Sequence, residues 1–261
     1  MIRGETTVDI AYDDVGNGAP LLLVHGHPFD RSMWRPQLDW FGGRGRRVIA
    51  PDLRGYGESV VTPGKVTLDV FATDLRDLLD ALGLDRVVLG GLSMGGQIVL
   101  EFHRLYAGRL AGLVIAASSA RADDATGRRF RRETADRIVR DGMDAYAAEL
   151  LPKMVAANSP RLVAEKVTDM MRNAPVDGAA AALRGRAERP DYVDMLVKVE
   201  VPTLIVVGTE DAFTPVTEAE LMASRIPGAT LAVVDGAGHL PNLERPHEFN
   251  TALERFLSTS S

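Results

Sequence analysis

Short apolar runs recur along the chain, and each ends in a cluster of small or polar residues. Residues 21–24 run into His25-Gly26, 47–50 into Pro51-Asp52, and 86–89 into Gly90-Gly91-Leu92-Ser93. Continuous apolar runs of this length predict strands buried on both faces, as in a parallel sheet. Residues 110–117, 203–207 (after Pro202) and 229–234 predict three more. Val8, Ile10 and Tyr12 alternate with polar residues, which predicts an early half-buried strand closed by a turn at Gly16-Asn17-Gly18. Between the strands the period changes. Leu68, Phe71, Leu75, Leu78, Leu79 and Leu82 recur at three- and four-residue spacing and predict a helix stopped by Gly83. Residues 98–106 predict a helix stopped by Gly108, and 246–257 a last helix with Pro246 near its first turn. Strand–helix alternation of this kind predicts a doubly wound, mostly parallel α/β sheet.

The rhythm breaks between residues 120 and 198. That stretch contains no convincing strand and holds amphipathic helical pieces, such as 143–150 and 162–171, with breaks at Pro152, Pro160 and Pro175. It predicts a helical insertion between two core strands. The expected organisation is a core in two parts, 1–120 and 197–261, around an inserted helical segment, 121–196.

Composition narrows the picture. At 261 residues the chain can bury one large core, and a net charge of −6 gives no global attraction for nucleic acid. The chain has no cysteine, which excludes disulfides, zinc–thiolate and iron–sulfur sites and a cysteine nucleophile. No apolar run approaches the ~20 residues that span a bilayer. The first residues lack a basic start followed by an apolar run, so no signal peptide is expected and the cytoplasm is the default location.

Gly91-Leu92-Ser93-Met94-Gly95-Gly96 follows a predicted strand and opens a predicted helix. A serine there sits on a tight turn that exposes its hydroxyl above the sheet edge. Gly91 and Gly95 are expected because side chains would collide with the neighbouring strand and helix. Ser93 is therefore the candidate nucleophile. A serine hydroxyl needs a base, and among five histidines His239, just beyond the last strand, reaches the same edge. His103 falls inside a helix and His247 at a helix start, where packing or surface roles are expected. The candidate acid is Asp211, after Gly208-Thr209-Glu210, with Glu210 and Asp235 as alternatives. The order Ser, Asp, His is that expected for such a site. Donors for a tetrahedral oxyanion are expected from the backbone N–H of Met94 and of His27, in His25-Gly26-His27-Pro28-Phe29. Two histidines one residue apart could suggest a metal, but no third ligand lies nearby, so neither metal nor cofactor is expected.

These stretches, with 51–59 and 236–246, resemble the α/β-hydrolase superfamily, in particular its small bacterial serine esterases and 3-oxoadipate enol-lactonases. The resemblance implies an α/β-hydrolase fold and makes the insertion a helical lid over the active site. It implies that Asp52, Arg54 and Ser59 support the oxyanion loop structurally. Ser93 stands where haloalkane dehalogenases and epoxide hydrolases carry aspartate, and no His-Gly-Gly-Gly loop is present.

The insertion carries Arg121, Arg128, Arg129, Arg131, Arg132, Arg137 and Arg140 among interleaved acids. That interleaving predicts a solvated helix face. The alternative is capture of an anionic substrate, such as the carboxylate of an enol-lactone. Phe29, Met143, Tyr146, Phe213 and Leu240 are the candidates for the substrate pocket. Met154, Met170 and Met171 could line it with them, or could simply fill the core of the insertion. The expected function is hydrolysis of a small to medium carboxylic ester through an acyl-enzyme. A lactonase with the same triad is the first alternative, and a ligand receptor on the same fold with negligible turnover is the second. Perhydrolysis with peroxide as acceptor is a side activity that the same triad allows. The expected partner is a small ester or lactone, with neither nucleic acid nor membrane.

Overall fold

The computed structural model describes residues 9–259. Seven strands form one sheet in the order β1-β3-β2-β4-β5-β6-β7. They are β1 (Tyr12–Gly16), β2 (Ala19–Val24), β3 (Arg46–Pro51), β4 (Val87–Leu92), β5 (Leu110–Ala116), β6 (Thr203–Gly208) and β7 (Thr230–Val234). Only β1 runs antiparallel to its neighbour, β3. The first strand starts at Tyr12, so Ile10 lies just outside it, and Val8 lies outside the described residues.

Among the described residues ten α-helices accompany the strands: α1 (Arg35–Phe41), α2 (Leu68–Ala81), α3 (Met94–Tyr106), α4 (Ala125–Asp141), α5 (Met143–Met154), α6 (Arg161–Asn173), α7 (Val176–Arg186), α8 (Val216–Arg225), α9 (Pro241–Glu244) and α10 (Pro246–Thr259). Period-two alternation sends strand residues into two cores. Leu22, Val24, Ile49, Leu89, Ile115 and Ile205 pack on one face with α2, α3 and α8. Leu21, Leu23, Val48, Leu92, Val114 and Leu204 pack on the other with α1 and α10. The spaced apolar residues of α2, Leu68, Phe71, Leu75, Leu78 and Leu79, form its buried stripe. Each such side chain contributes roughly 1.5–3 kcal/mol when fully withdrawn from water. No helix among the described residues is long and apolar enough to cross a membrane.

Helices α4 to α7 fill the stretch between β5 and β6. Pro160 and Pro175 immediately precede α6 and α7, but Pro152 does not end α5, which continues to Met154. In the last turn of a helix the missing N–H removes a single bond, and the chain tolerates it. Helix α7 lies backbone to backbone on the loop after β3. A Cβ at Gly178 would sit 1.8 Å from the Gly55 carbonyl oxygen, and one at Gly185 1.7 Å from that of Val66.

The sheet order fixes where a site can form. From β2 the chain crosses to β3 on one side, then to β4 on the other. Connections diverge there, leaving a crevice at the carboxyl ends of the strands. The loop after β2 (His25–Phe29) and the turn after β4 (Ser93) are the two that flank it.

Candidate active site

Ser93 joins β4 to α3 with φ 57° and ψ −114°. A left-handed backbone at a non-glycine residue stores of order 1–3 kcal/mol and persists only when the surroundings hold it. Here the Ser93 N–H donates to the Ala116 carbonyl (2.9 Å), and its own carbonyl accepts from the Ser118 hydroxyl (2.8 Å). The flanking glycines are sterically required. A Cβ on Gly91 would lie 2.3 Å from the Gly95 backbone, and one on Gly95 2.3 Å from the Val24 carbonyl oxygen.

His239 follows β7 and is 2% exposed. Its Nδ1 lies 2.9 Å from both carboxylate oxygens of Asp211. That carboxylate also accepts the N–H groups of Phe213 (2.8 Å) and Thr214 (3.0 Å) and the Thr214 hydroxyl. Burial alone would raise the Asp211 carboxyl. The His239 imidazole and these donors outweigh it and hold the group below the ordinary carboxylate range. Glu210 and Asp235 are both exposed, and Asp235 meets only the Thr209 hydroxyl, at 3.4 Å.

The loop after β2 is braced from below. His25, fully buried, donates from Nδ1 to the Gly26 carbonyl (2.8 Å) and accepts the Leu53 N–H at Nε2 (2.9 Å). Asp52 accepts the N–H groups of Arg31 and Glu58, each at 2.8 Å, and its carbonyl accepts the Ser59 hydroxyl (2.7 Å). Arg54 pairs with Asp74 (2.8 Å). The His27 ring lies between Tyr56 (Nδ1 to hydroxyl, 2.7 Å) and Tyr146 (Nε2 to hydroxyl, 3.2 Å). Burial, then the charges of Arg186 and Arg131, push His27 well below its ordinary pKa, so the ring is neutral. Burial likewise raises the Tyr146 phenol to about 12. Both ring nitrogens of each histidine are thus occupied by protein groups. The backbone N–H of His27 and that of Met94, which opens α3, donate to no protein acceptor among the described residues. The His27–Pro28 peptide is cis.

A cavity of about 460 Å³ opens beside Ser93 and His239. His27, Tyr146, Met154 and Phe213 also line it, and the Phe213 ring stands edge-on to His239 with centroids 5.0 Å apart. Three pocket candidates lie elsewhere. Phe29 (1% exposed), Met143 (5%) and Leu240 (0%) are absent from the wall. Their side chains are drawn into the two cores, as are those of Met170 and Met171. The arginines of the insertion divide. Arg128, Arg129, Arg132 and Arg140 are solvated as expected, whereas Arg121 and Arg131 face the cavity.

Sequence reasoning passed over three groups. Arg186 and Arg189 of the insertion reach the cavity wall. Glu244, 3% exposed, accepts the N–H groups of Gly238 (3.0 Å) and Leu240 (3.2 Å) on either side of His239, and that of Ala156 (2.8 Å). Nothing in a single sequence separates this glutamate from a surface one.

The profile of the alpha/beta hydrolase family matches residues 21–252. The chain is similar to an esterase from Thermogutta terrifontis, described as thermophilic and solved with malate bound. The two are 41% identical, with 99% of this chain and 98% of that one covered and a TM-score of 0.96. It is 28% identical to 3-oxoadipate enol-lactonase 1 of Acinetobacter baylyi, over 98% of this chain and 97% of the other. A structure of a bromoperoxidase from Bacillus anthracis is 29% identical over 96% of each chain, with a TM-score of 0.86.

Proposed function

The chain belongs to the alpha/beta hydrolase family, and from that premise we propose that it is a serine carboxylic-ester hydrolase acting on small to medium esters or lactones. The observation that carries this reading is one cavity lined by Ser93, on its strained turn, and by His239, whose Nδ1 is held by Asp211. The Ser93 hydroxyl attacks the acyl carbon while His239 Nε2 takes its proton. The N–H groups of His27 and Met94 receive the developing oxyanion, each such donor being worth about 3 kcal/mol. His239 then gives the proton to the departing alcohol oxygen, leaving an acyl group on Ser93. Water enters, His239 takes one of its protons, and the carboxylic acid leaves as Ser93 regains its hydrogen. Asp211 keeps the imidazole in the tautomer with the proton on Nδ1 and stabilises its cation. The inserted helices, as a lid, supply the walls that shield these steps from bulk water. Every group used belongs to the chain or is water.

Phenylmethylsulfonyl fluoride is expected to label Ser93 alone, and Ser93→Ala to lower kcat on a panel of p-nitrophenyl esters and simple lactones by roughly 10⁴-fold or more. Full activity in Ser93→Ala would overturn the mechanism. A burst of one equivalent followed by negligible turnover would assign the cavity to ligand capture instead.

A further inference from the structure

Arg186 closes α7 and is buried, 8% exposed as a residue, on the wall of the cavity that holds Ser93 and His239. A guanidinium carries five N–H donors and keeps its charge in proteins. Only Nε is used here, donating to the neutral Gln97 Oε1 at 3.1 Å. No carboxylate among the described residues lies within ion-pair distance of Arg186. Buried charges are normally paired, because withdrawal from water is otherwise uncompensated.

The neighbours deepen the deficit. Arg131 and Arg189 share one carboxylate, Asp123, with Arg189 Nη1 at 2.8 Å. The two other acids of the cavity wall are already engaged, Glu149 with Arg137 (2.9 Å) and Glu218 with Arg121 (3.1 Å). Burial, then the like charges of Arg131 and Arg189, push the Arg186 guanidinium well below its ordinary range. The charge is also close to the chemistry. Gln97, which holds it, lies four residues after Ser93, one helical turn along α3.

We propose that Arg186 receives a second, ionised carboxylate on the substrate, so that the enzyme acts on esters or lactones bearing a carboxylate a few bonds from the scissile carbonyl. The two terminal nitrogens suit a bidentate pair with that carboxylate. Gln97 fixes the plane of the fork, and Arg189 and Arg131 add a positive wall behind it. A neutral ester of the same shape leaves the guanidinium unpaired and binds poorly for that reason. The inference rests on Ser93 as nucleophile for its account of turnover, but its binding half stands without turnover.

The test compares monomethyl succinate and monomethyl glutarate with their dimethyl diesters, by kcat/KM in a pH-stat. The wild type is expected to prefer the anionic monoester at least 30-fold. Arg186→Met should erase that preference, mainly through KM. Arg186→Lys, which keeps the charge but loses the fork, should retain a fraction of it. Binding is read separately in Ser93→Ala, where succinate should raise the melting temperature above a chloride control of equal ionic strength. That shift should vanish when Arg186→Met is added. Equal use of monoester and diester by the wild type, or a preference untouched in both Arg186 variants, overturns the proposal. So does a succinate shift that survives Arg186→Met. Full activity of Ser93→Ala on the diesters would instead remove the nucleophile and leave the succinate arm to decide the anion site.

Discussion

Asp211 differs from its two acidic neighbours in what it touches. It accepts from His239, from two backbone N–H groups and from the Thr214 hydroxyl, whereas Glu210 and Asp235 face solvent. In the proposed mechanism its charge acts on the imidazolium that forms only in the transition state, so Asp211→Asn should lower kcat by about 10⁴-fold with little change in KM. Asp235→Asn and Glu210→Gln should stay within a few-fold of wild type, and steady-state kinetics on one p-nitrophenyl ester checks all three. Ser93 and His239 were legible in the sequence because each combines a reactive residue type with a strand end, and strand ends follow from short apolar runs. Asp211 was legible with two rivals, since spacing alone cannot say which acid turns inward. Arg186 was not legible at all. It follows a run of alanines in a helix like any solvated arginine, and only its burial against Gln97 and the absence of a carboxylate mark it.

At the scale of elements, the histidine loop is held from outside itself. Glu244, in the short helix α9, ties Gly238 and Leu240 to Ala156, which lies beyond the end of α5. One carboxylate therefore couples the inserted helices to the segment carrying His239. Glu244→Ala strands three N–H groups, two of them flanking the histidine. Each buried unsatisfied group costs about 1–3 kcal/mol. A loss of about 3 kcal/mol in total should lower the melting temperature by roughly 6–12 °C, with a fall in kcat of about tenfold as the imidazole loosens. A melt and an ester assay on the same preparation check both. Strands β2, β3, β5, β6 and β7 were legible to within two residues, because continuous apolar runs leave little choice, whereas β4 runs three residues further, to Leu92, and β1 starts only at Tyr12. The insertion was legible as helical, but its seating was not. The contact of Gly178 and Gly185 with the backbone at Gly55 and Val66 joins residues more than a hundred positions apart, and no local pattern announces it.

For the whole molecule, the buried histidines set a pH limit. His25, His27 and His103 are each pushed below the ordinary value of 6.5, burial being the largest cause for all three. Below that value the unfolded chain binds protons that the folded one refuses, so stability is full above pH 6.5 and is lost as the pH falls. The melting temperature should fall steadily from pH 7 to pH 5, and less steeply in His27→Gln; equal slopes would remove His27 from the account. Asp211 adds nothing in this window, because its loss begins only near the ordinary carboxylate value of 3.8. The doubly wound topology was legible from strand–helix alternation, while the strand order, and so the crevice between β2 and β4, required the pairing itself. That order has a consequence in time. Ser93, the loop after β2 and the inserted helices all precede β6, while Asp211 and His239 both follow it. A ribosome that has released residues only as far as the insertion has released Ser93 but neither Asp211 nor His239. On the proposed mechanism the hydroxyl gains its base only when the last quarter of the chain emerges and adds β6 and β7 to the free edge of β5. A chain stalled before β6 is therefore expected to leave Ser93 unlabelled by phenylmethylsulfonyl fluoride.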